Sequence, residues 1–251
     1  MSFSLAGRTA LITGASSGIG AQFARSFAKA GANVVLGARR LDRVEALAAE
    51  IGDAAMAVQM DVTDEASTIA AYDAAEARFG TVTSVMANAG VAGEGRATEM
   101  PIEMIQSTIN TNLMAALLTA REGAKRMMAS GAREKENGRI VLIGSITAMG
   151  TGGGDSAYAA TKAGIAHLGR LLAREWVRQG VNVNVIQPGW IKTEINGDWF
   201  NSEGGKAHVA SFHRRRLVNL DALDDMALYL SSDAARAVTG SVITVDDGQS
   251  L

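Results

Sequence analysis

A chain of 251 residues can bury enough apolar surface to stand as one large domain, with no disulfide or metal staple. It has no cysteine, which excludes a disulfide framework and any thiolate metal site and fits a reducing compartment. Lys and Arg number 24 against 26 Asp and Glu, and a net charge of −2 gives no electrostatic footprint for nucleic acid or an anionic membrane. The N-terminal stretch lacks a basic region and Arg8 interrupts its apolar run, so it makes a poor signal peptide. No uncharged apolar run reaches the roughly 18 residues of a spanning helix. A soluble, cytoplasmic protein is expected.

In chain order, short apolar runs alternate with longer amphipathic ones. Strands are predicted at Thr9–Thr13, Asn33–Gly37, Ala55–Asp61, Val82–Ala87, Arg139–Gly144, Val181–Ile186 and Val242–Val245, apolar on both faces as in a covered parallel sheet. Ile19, Phe23 and Phe27 repeat every four residues and mark the first helix. Further helices are predicted over Arg40–Glu50, Asp64–Phe79, Pro101–Met128, Ser156–Arg178 and Asp221–Ser231. This alternation predicts a doubly wound, Rossmann-like α/β fold: a parallel sheet of about seven strands with helices on both faces, in a single domain over 1–251. One long segment, 189–216, shows no periodicity and holds Trp190, Trp199, Phe200 and Phe212; it reads as an irregular substrate lid.

The chain holds 28 glycines beside 2 prolines, and their placement carries the first chemical signal. Thr13-Gly14-Ala15-Ser16-Ser17-Gly18-Ile19-Gly20 joins the first strand to the first helix, where glycines let backbone approach a pyrophosphate at a helix N-terminus. The same residues satisfy G-x-S-x-G, the nucleophile elbow of a serine hydrolase, with His208 or His213 as the base. Against that reading, no upstream loop supplies a second oxyanion donor, and Gly20 has no role in it. After the second strand come Arg39 and Arg40 instead of the acid that grips a ribose 2′-OH, which favours NADP over NAD. Asp61 and Val62 end the third strand where an adenine would lie.

Tyr158 and Lys162 stand four apart on one helical face, and the chain has only 3 tyrosines. A free phenol titrates near ~10, and a neighbouring cation brings it toward working pH. Ser145 ends the fifth strand close to the start of that helix. His208 and His213, five apart, make a poor pair of metal ligands, so no metal site is expected.

The glycine turn, Asn88-Ala89-Gly90, Ser145, Tyr158-x-x-x-Lys162 and Pro188-Gly189, in this order, resemble the short-chain dehydrogenase/reductase family along essentially the whole chain. The resemblance implies an NADP(H)-dependent oxidoreductase that interconverts a carbonyl compound and a secondary alcohol. It makes Tyr158 the general acid, Ser145 the group that orients the carbonyl and Lys162 the partner that lowers the phenol's pKa and holds the nicotinamide ribose. Asn112 matches the family's asparagine that holds a relay water, and Ile191 and Thr193 match positions at the nicotinamide carboxamide. Gly14, Ser16, Ser17, Gly18, Ile19, Gly20, Asn88, Ala89, Gly90, Pro188 and Gly189 would complete the cofactor site. Ala87 departs from the family's usual asparagine.

The loops Val91–Met100, Ile146–Asp155 and Trp190–Phe212 should line the substrate pocket, and their aromatics suggest an apolar or ring-bearing small molecule. Self-association into dimers or tetramers is implied through Pro101–Met128 and Ser156–Arg178. A 3-oxoacyl-acyl carrier protein reductase is the alternative, with Arg121, Lys125, Arg126 and Arg214–Arg216 as a docking surface. A non-catalytic NADP-sensing module is more remote, because sensing needs no proton donor.

Overall fold

The computed structural model describes residues 3–93, 95–150 and 154–251. Their elements in chain order are β1 (Thr9–Thr13), α1 (Gly18–Lys29), β2 (Asn33–Ala38), α2 (Leu41–Ile51), β3 (Ala55–Gln59), α3 (Glu65–Phe79), β4 (Ser84–Ala87) and α4 (Ile102–Ile109). There follow α5 (Ala115–Ala129), α6 (Ala132–Lys135), β5 (Gly138–Ile143), α7 (Ser156–Trp176), β6 (Val181–Pro188), α8 (Glu203–Ser211), α9 (Asp224–Ser231) and β7 (Val242–Val245). The strands form one sheet in the order β3-β2-β1-β4-β5-β6-β7, and every pairing is parallel. The sequence-predicted Rossmann-like architecture is the observed one.

Strand side chains alternate between two cores. Ala10, Ile12, Val34 and Leu36 join Phe23, Phe27, Leu47 and Leu223 on the face covered by α1, α2 and α9. Leu11, Val35, Ile140 and Leu142 join Tyr72, Ala120, Met127 and Leu172 on the face covered by α3, α5 and α7. This is why the strands read as continuous apolar runs. Strand order reverses between β1, whose successor β2 lies on one side, and β4, which lies on the other. Such a switch point opens a crevice at the carboxyl ends of the strands. Among the described residues no helix is long and apolar enough to cross a membrane.

Three of the departures from the sequence reading have a plain physical reason. The third strand stops at Gln59 and not Asp61, because the Asp61 carboxylate turns to accept hydrogen bonds from Thr63 N (2.9 Å) and Oγ1 (2.7 Å). The stretch Pro101–Met128 is helical from Ile102 onward, but a π-turn over Asn110–Met114 interrupts its α ladder between α4 and α5. Segment 189–216 is not irregular. It holds short 3₁₀ turns at Glu194–Asn196 and Trp199–Asn201, then α8. Ser202 caps α8, accepting from Gly205 N at 3.1 Å. Gly205 is there for close approach, since a Cβ would lie 2.1 Å from the Trp199 carbonyl oxygen.

Candidate active site

A cleft of about 430 Å³ opens at the switch point between β1 and β4 and is walled by the loops that leave the strand ends. Its floor is the glycine turn. Gly14 has φ +69°, and a Cβ there would sit 2.9 Å from Ala89 Cα, so the turn lies directly on the segment after β4. Thr13 stitches the two together: its Oγ1 accepts from Asn88 N (3.0 Å) and Ala89 N (3.1 Å), and its carbonyl accepts from Asn88 Nδ2 (3.0 Å). Gly18, with φ +53°, opens α1, whose N-cap Ser17 makes no side-chain cap and whose first turn has no acid. Free N–H groups and the positive end of a 12-residue helix therefore face the cleft, a fit for a pyrophosphate.

Gly14, Ser16, Ser17, Gly18 and Ile19 line the cleft, but Gly20 does not. A Cβ on Gly20 would stand 2.4 Å from the Gly14 carbonyl oxygen and 2.7 Å from Asn88 Nδ2. Its job is to let α1 seat on the turn, not to admit a ligand. Arg39, Arg40, Asp61 and Val62 form the wall beyond β2 and β3. Arg40 donates to Ser16 Oγ from Nη2 (2.9 Å) and to Ser17 Oγ (2.9 Å). A serine that accepts from a guanidinium has no base to activate it, and no histidine lines the cleft among the described residues. The serine-hydrolase reading falls on this geometry.

Asn88, Ala89 and Gly90 line the middle, and Pro188, Gly189, Ile191 and Thr193 form the far wall. Gly189 is pressed against the C-terminal turn, where a Cβ would meet Asp246 Cα at 2.8 Å. Ser145, Tyr158 and Lys162 converge at the other end of the same cleft. Ser145 Oγ accepts from Thr147 N (3.2 Å) and Thr147 Oγ1 (3.0 Å), which leaves its own proton to point elsewhere. Lys162 is buried; its Nζ donates to the Ile143 carbonyl (2.9 Å) and lies 5.5 Å over the Tyr158 ring.

The electrostatics here differ from the sequence expectation. Burial pushes the Tyr158 phenol above its ordinary range; a hydrogen bond with Ser145 opposes this and the Asp155 carboxylate adds to it. Burial also pushes the Lys162 ammonium down to about 8. Desolvation, which penalises each charged form, thus outweighs the help that a cation four residues away gives a phenolate. Asn112 does not line the cleft. Its amide accepts from Val91 N (2.8 Å) and donates to Val91 O (3.0 Å), so its side chain pins the loop after β4.

The sequence reading missed Thr147, which aims the serine, and Glu194, which reaches across to Arg40. Neither has a local sequence signature; both depend on the approach of separate loops. The aromatic wall was also misplaced. Trp190 lines the cleft, but Trp199, Phe200 and Phe212 pack around His208 and one another instead. Thr151–Gly153 and Glu94, within two of the expected substrate loops, lie outside the described residues.

His208 has ring contacts to Trp190 (5.1 Å), Trp199 (5.4 Å) and Phe212 (4.8 Å), and its buried Nε2 has no hydrogen-bond partner among the described residues. Burial lowers its pKa from an ordinary 6.5. The folded state therefore favours neutral His208; that contribution is complete above the unfolded pKa and is lost as pH falls through the folded one. Acidification below the ordinary imidazole pKa should thus perturb Trp190 and Trp199 fluorescence at constant far-UV dichroism. His208→Phe should abolish the transition; its persistence in that variant would assign it to another group.

The sequence profile described as short chain dehydrogenase matches residues 8–204. The D-threitol dehydrogenase of Mycolicibacterium smegmatis is 34% identical over 99% of this chain and 95% of its own. A putative gluconate dehydrogenase from Agrobacterium tumefaciens superposes with a TM-score of 0.92 at 32% identity, covering 100% of this chain and 98% of its own. The 3-ketoacyl-(acyl-carrier-protein) reductase of Brucella melitensis, solved with NADH, gives 0.90 at 32% identity over 99% and 100%. The chain belongs to the short-chain dehydrogenase family, oxidoreductases that bind a nicotinamide cofactor.

Proposed function

We propose that the protein interconverts a small carbonyl compound and a secondary alcohol, with NADP(H) preferred over NAD(H). One observation carries the reading: Ser145, Tyr158 and Lys162 meet at one end of a cleft whose other end presents an uncapped helix N-terminus and two arginines. A bound nicotinamide dinucleotide supplies the hydride for reduction and accepts it in oxidation. Ser145, its oxygen already accepting from Thr147, donates to the substrate oxygen and fixes the carbonyl. Tyr158 delivers a proton to that oxygen as negative charge develops there. Its raised pKa keeps the proton on the phenol at neutral pH, the state that reduction requires. Lys162, still largely cationic at neutrality with a pKa of about 8, steadies the phenolate left behind. Asn112 acts as a positioning residue by fixing Val91 at the cleft wall.

Segment 189–216 serves as a lid, since its first residues wall the cleft and its helix contributes His208 to the aromatic cluster around Trp190. Exposed Ile102, Met104, Ile109 and Leu171 on α4 and α7 support self-association. Against the carrier-protein alternative, most of its docking cations are already engaged, in surface pairs that a partner could still exchange: Arg121 pairs with Glu65, Lys125 with Glu122, Arg126 with Asp73, Glu76 and Glu122, and Arg214 and Arg216 with Asp247. A small-molecule substrate fits better.

The test is the absorbance of NADPH and NADH on mixing with a panel of ketones, sugar lactones and ketoacyl thioesters. Oxidation of cofactor by a small ketone supports the reading; turnover confined to carrier-bound thioesters overturns it. Cofactor choice is tested separately by Arg39→Asp, which should swing the ratio of kcat/KM values toward NADH by about tenfold. An unchanged ratio would remove Arg39 from cofactor selection.

A further inference from the structure

Arg40 follows β2, where the ribose 2′ substituent of a dinucleotide lies, and it is already in use. Besides Ser16 and Ser17, its guanidinium donates from Nη1 to Glu194 Oε2 at 2.8 Å. The other carboxylate oxygen of Glu194 takes a hydrogen bond from Arg43 Nη1. Ser17 adds a further hydrogen bond, and the guanidinium partners hold the carboxyl down to about 2. Two guanidinium groups and a serine hydroxyl gathered on one anion is the donor set that phosphate recognition uses. Glu194 is not there by a chance rotamer of a loose loop. It opens the 3₁₀ turn Glu194–Asn196, which a reciprocal capping box between Thr193 and Asn196 fixes, and Thr193 itself packs 3.2 Å from the Cβ position of Gly18.

We propose that Glu194 is an internal anion that competes with the cofactor's 2′-phosphate for Arg40 and so sets the strength of the NADP(H) preference. The inference rests on the reading of the cleft as a dinucleotide site. A ligand with a free 2′-OH leaves the Arg40–Glu194 pair in place, and the lid stays fastened to the wall beyond β2. A 2′-phosphate must take Arg40 from Glu194, and the carboxylate then withdraws with its turn. Arg39 makes no ion pair among the described residues and feels only the longer-range pull of the Asp61 carboxylate, so it binds the phosphate against weaker competition. Glu194 is therefore a specificity-determining residue that acts through Arg40 and touches no reacting atom.

Calorimetric dissociation constants for 2′,5′-ADP, 5′-ADP, NADPH and NADH test this in wild type, Glu194→Gln, Arg40→Ala and the double variant. Glu194→Gln should tighten 2′,5′-ADP and NADPH by about three- to tenfold, the scale of a half-exposed ion pair, and leave 5′-ADP and NADH within about twofold. On the Arg40→Ala background the gain should vanish. A merely structural role for Glu194 predicts weaker binding of all four ligands, which overturns the inference. So does a ratio that moves only through loss of NADH affinity, the result expected if Glu194 held the ribose hydroxyls. Unchanged NADPH binding beside intact NADH binding also overturns it and leaves the dinucleotide reading standing. If wild type binds neither dinucleotide, that reading itself fails, and the inference with it.

Discussion

Tyr158→Phe should lower turnover by about 10²–10⁴-fold, with dinucleotide affinity within a few-fold of wild type. The substitution removes one oxygen and keeps the ring over which Lys162 sits at 5.5 Å, so packing survives and the proton donor does not. Ser145 still donates to the substrate oxygen, which leaves part of the electrostatic stabilisation and a measurable residual rate. The pH dependence has a definite sign. Burial raises the phenol's pKa, so the protonated form that reduction needs persists through neutrality. Alcohol oxidation needs the phenolate, and its rate should climb on the alkaline side while the rate of reduction does not. Steady-state kinetics in both directions across pH, with Kd from fluorescence titration, check this. Near-wild-type turnover in the Phe variant would mean that the proton comes from elsewhere.

Gly20→Ala should weaken dinucleotide binding by at least about tenfold and destabilise the fold by about 1–3 kcal/mol. On propensity alone the change should help, because alanine inside a helix is favoured over glycine by about 1 kcal/mol. The clash decides the sign. A Cβ at 2.4 Å from the Gly14 oxygen meets main chain, and at 2.7 Å it meets Asn88 Nδ2, which already donates to Thr13. Relief requires α1 to lift from the turn, and its N-terminal N–H groups leave the cleft with it. Urea denaturation and ligand titration measure the two effects together. A stabilised variant with unchanged affinity would show that the turn yields at little cost.

The sheet was legible because buried parallel strands advertise themselves: β1 and β7 begin and end where the apolar runs do. The π-turn at Asn110–Met114 was not, since one extra residue hardly disturbs a helical stripe; the polar triplet Asn110-Thr111-Asn112 was the available sign. Gly204 and Gly205 made α8 read as loop, although Gly205 is small to fit against Trp199 and not to turn the chain. In the cleft, Ser145, Tyr158 and Lys162 come together as their own motifs suggested. Thr147 and Glu194 act through a neighbour brought close by folding, and nothing in their local sequence marks that. The sign of the Tyr158 shift was missed for the same reason. Spacing reveals a nearby charge, whereas desolvation depends on everything packed around the pair.

The partnership of α1 with α9 bears on how this protein is made. Phe23 and Phe27 on α1 lie in one core with Leu223, Ala227 and Leu230, and Gln22 donates to Asp224 at 2.7 Å. Leu223 stands 200 positions beyond Phe23 in the sequence. During synthesis α1 emerges among the first elements and meets β1, β2 and α2 early, yet the part of its apolar face that packs on α9 stays uncovered until nearly the last element leaves the ribosome. The end of the cleft encoded first is thus among the last to be completed, and a stop codon before residue 223 would strip α1 of part of its cover. The two halves of the Rossmann sheet are halves by symmetry only; as folding units they are interleaved.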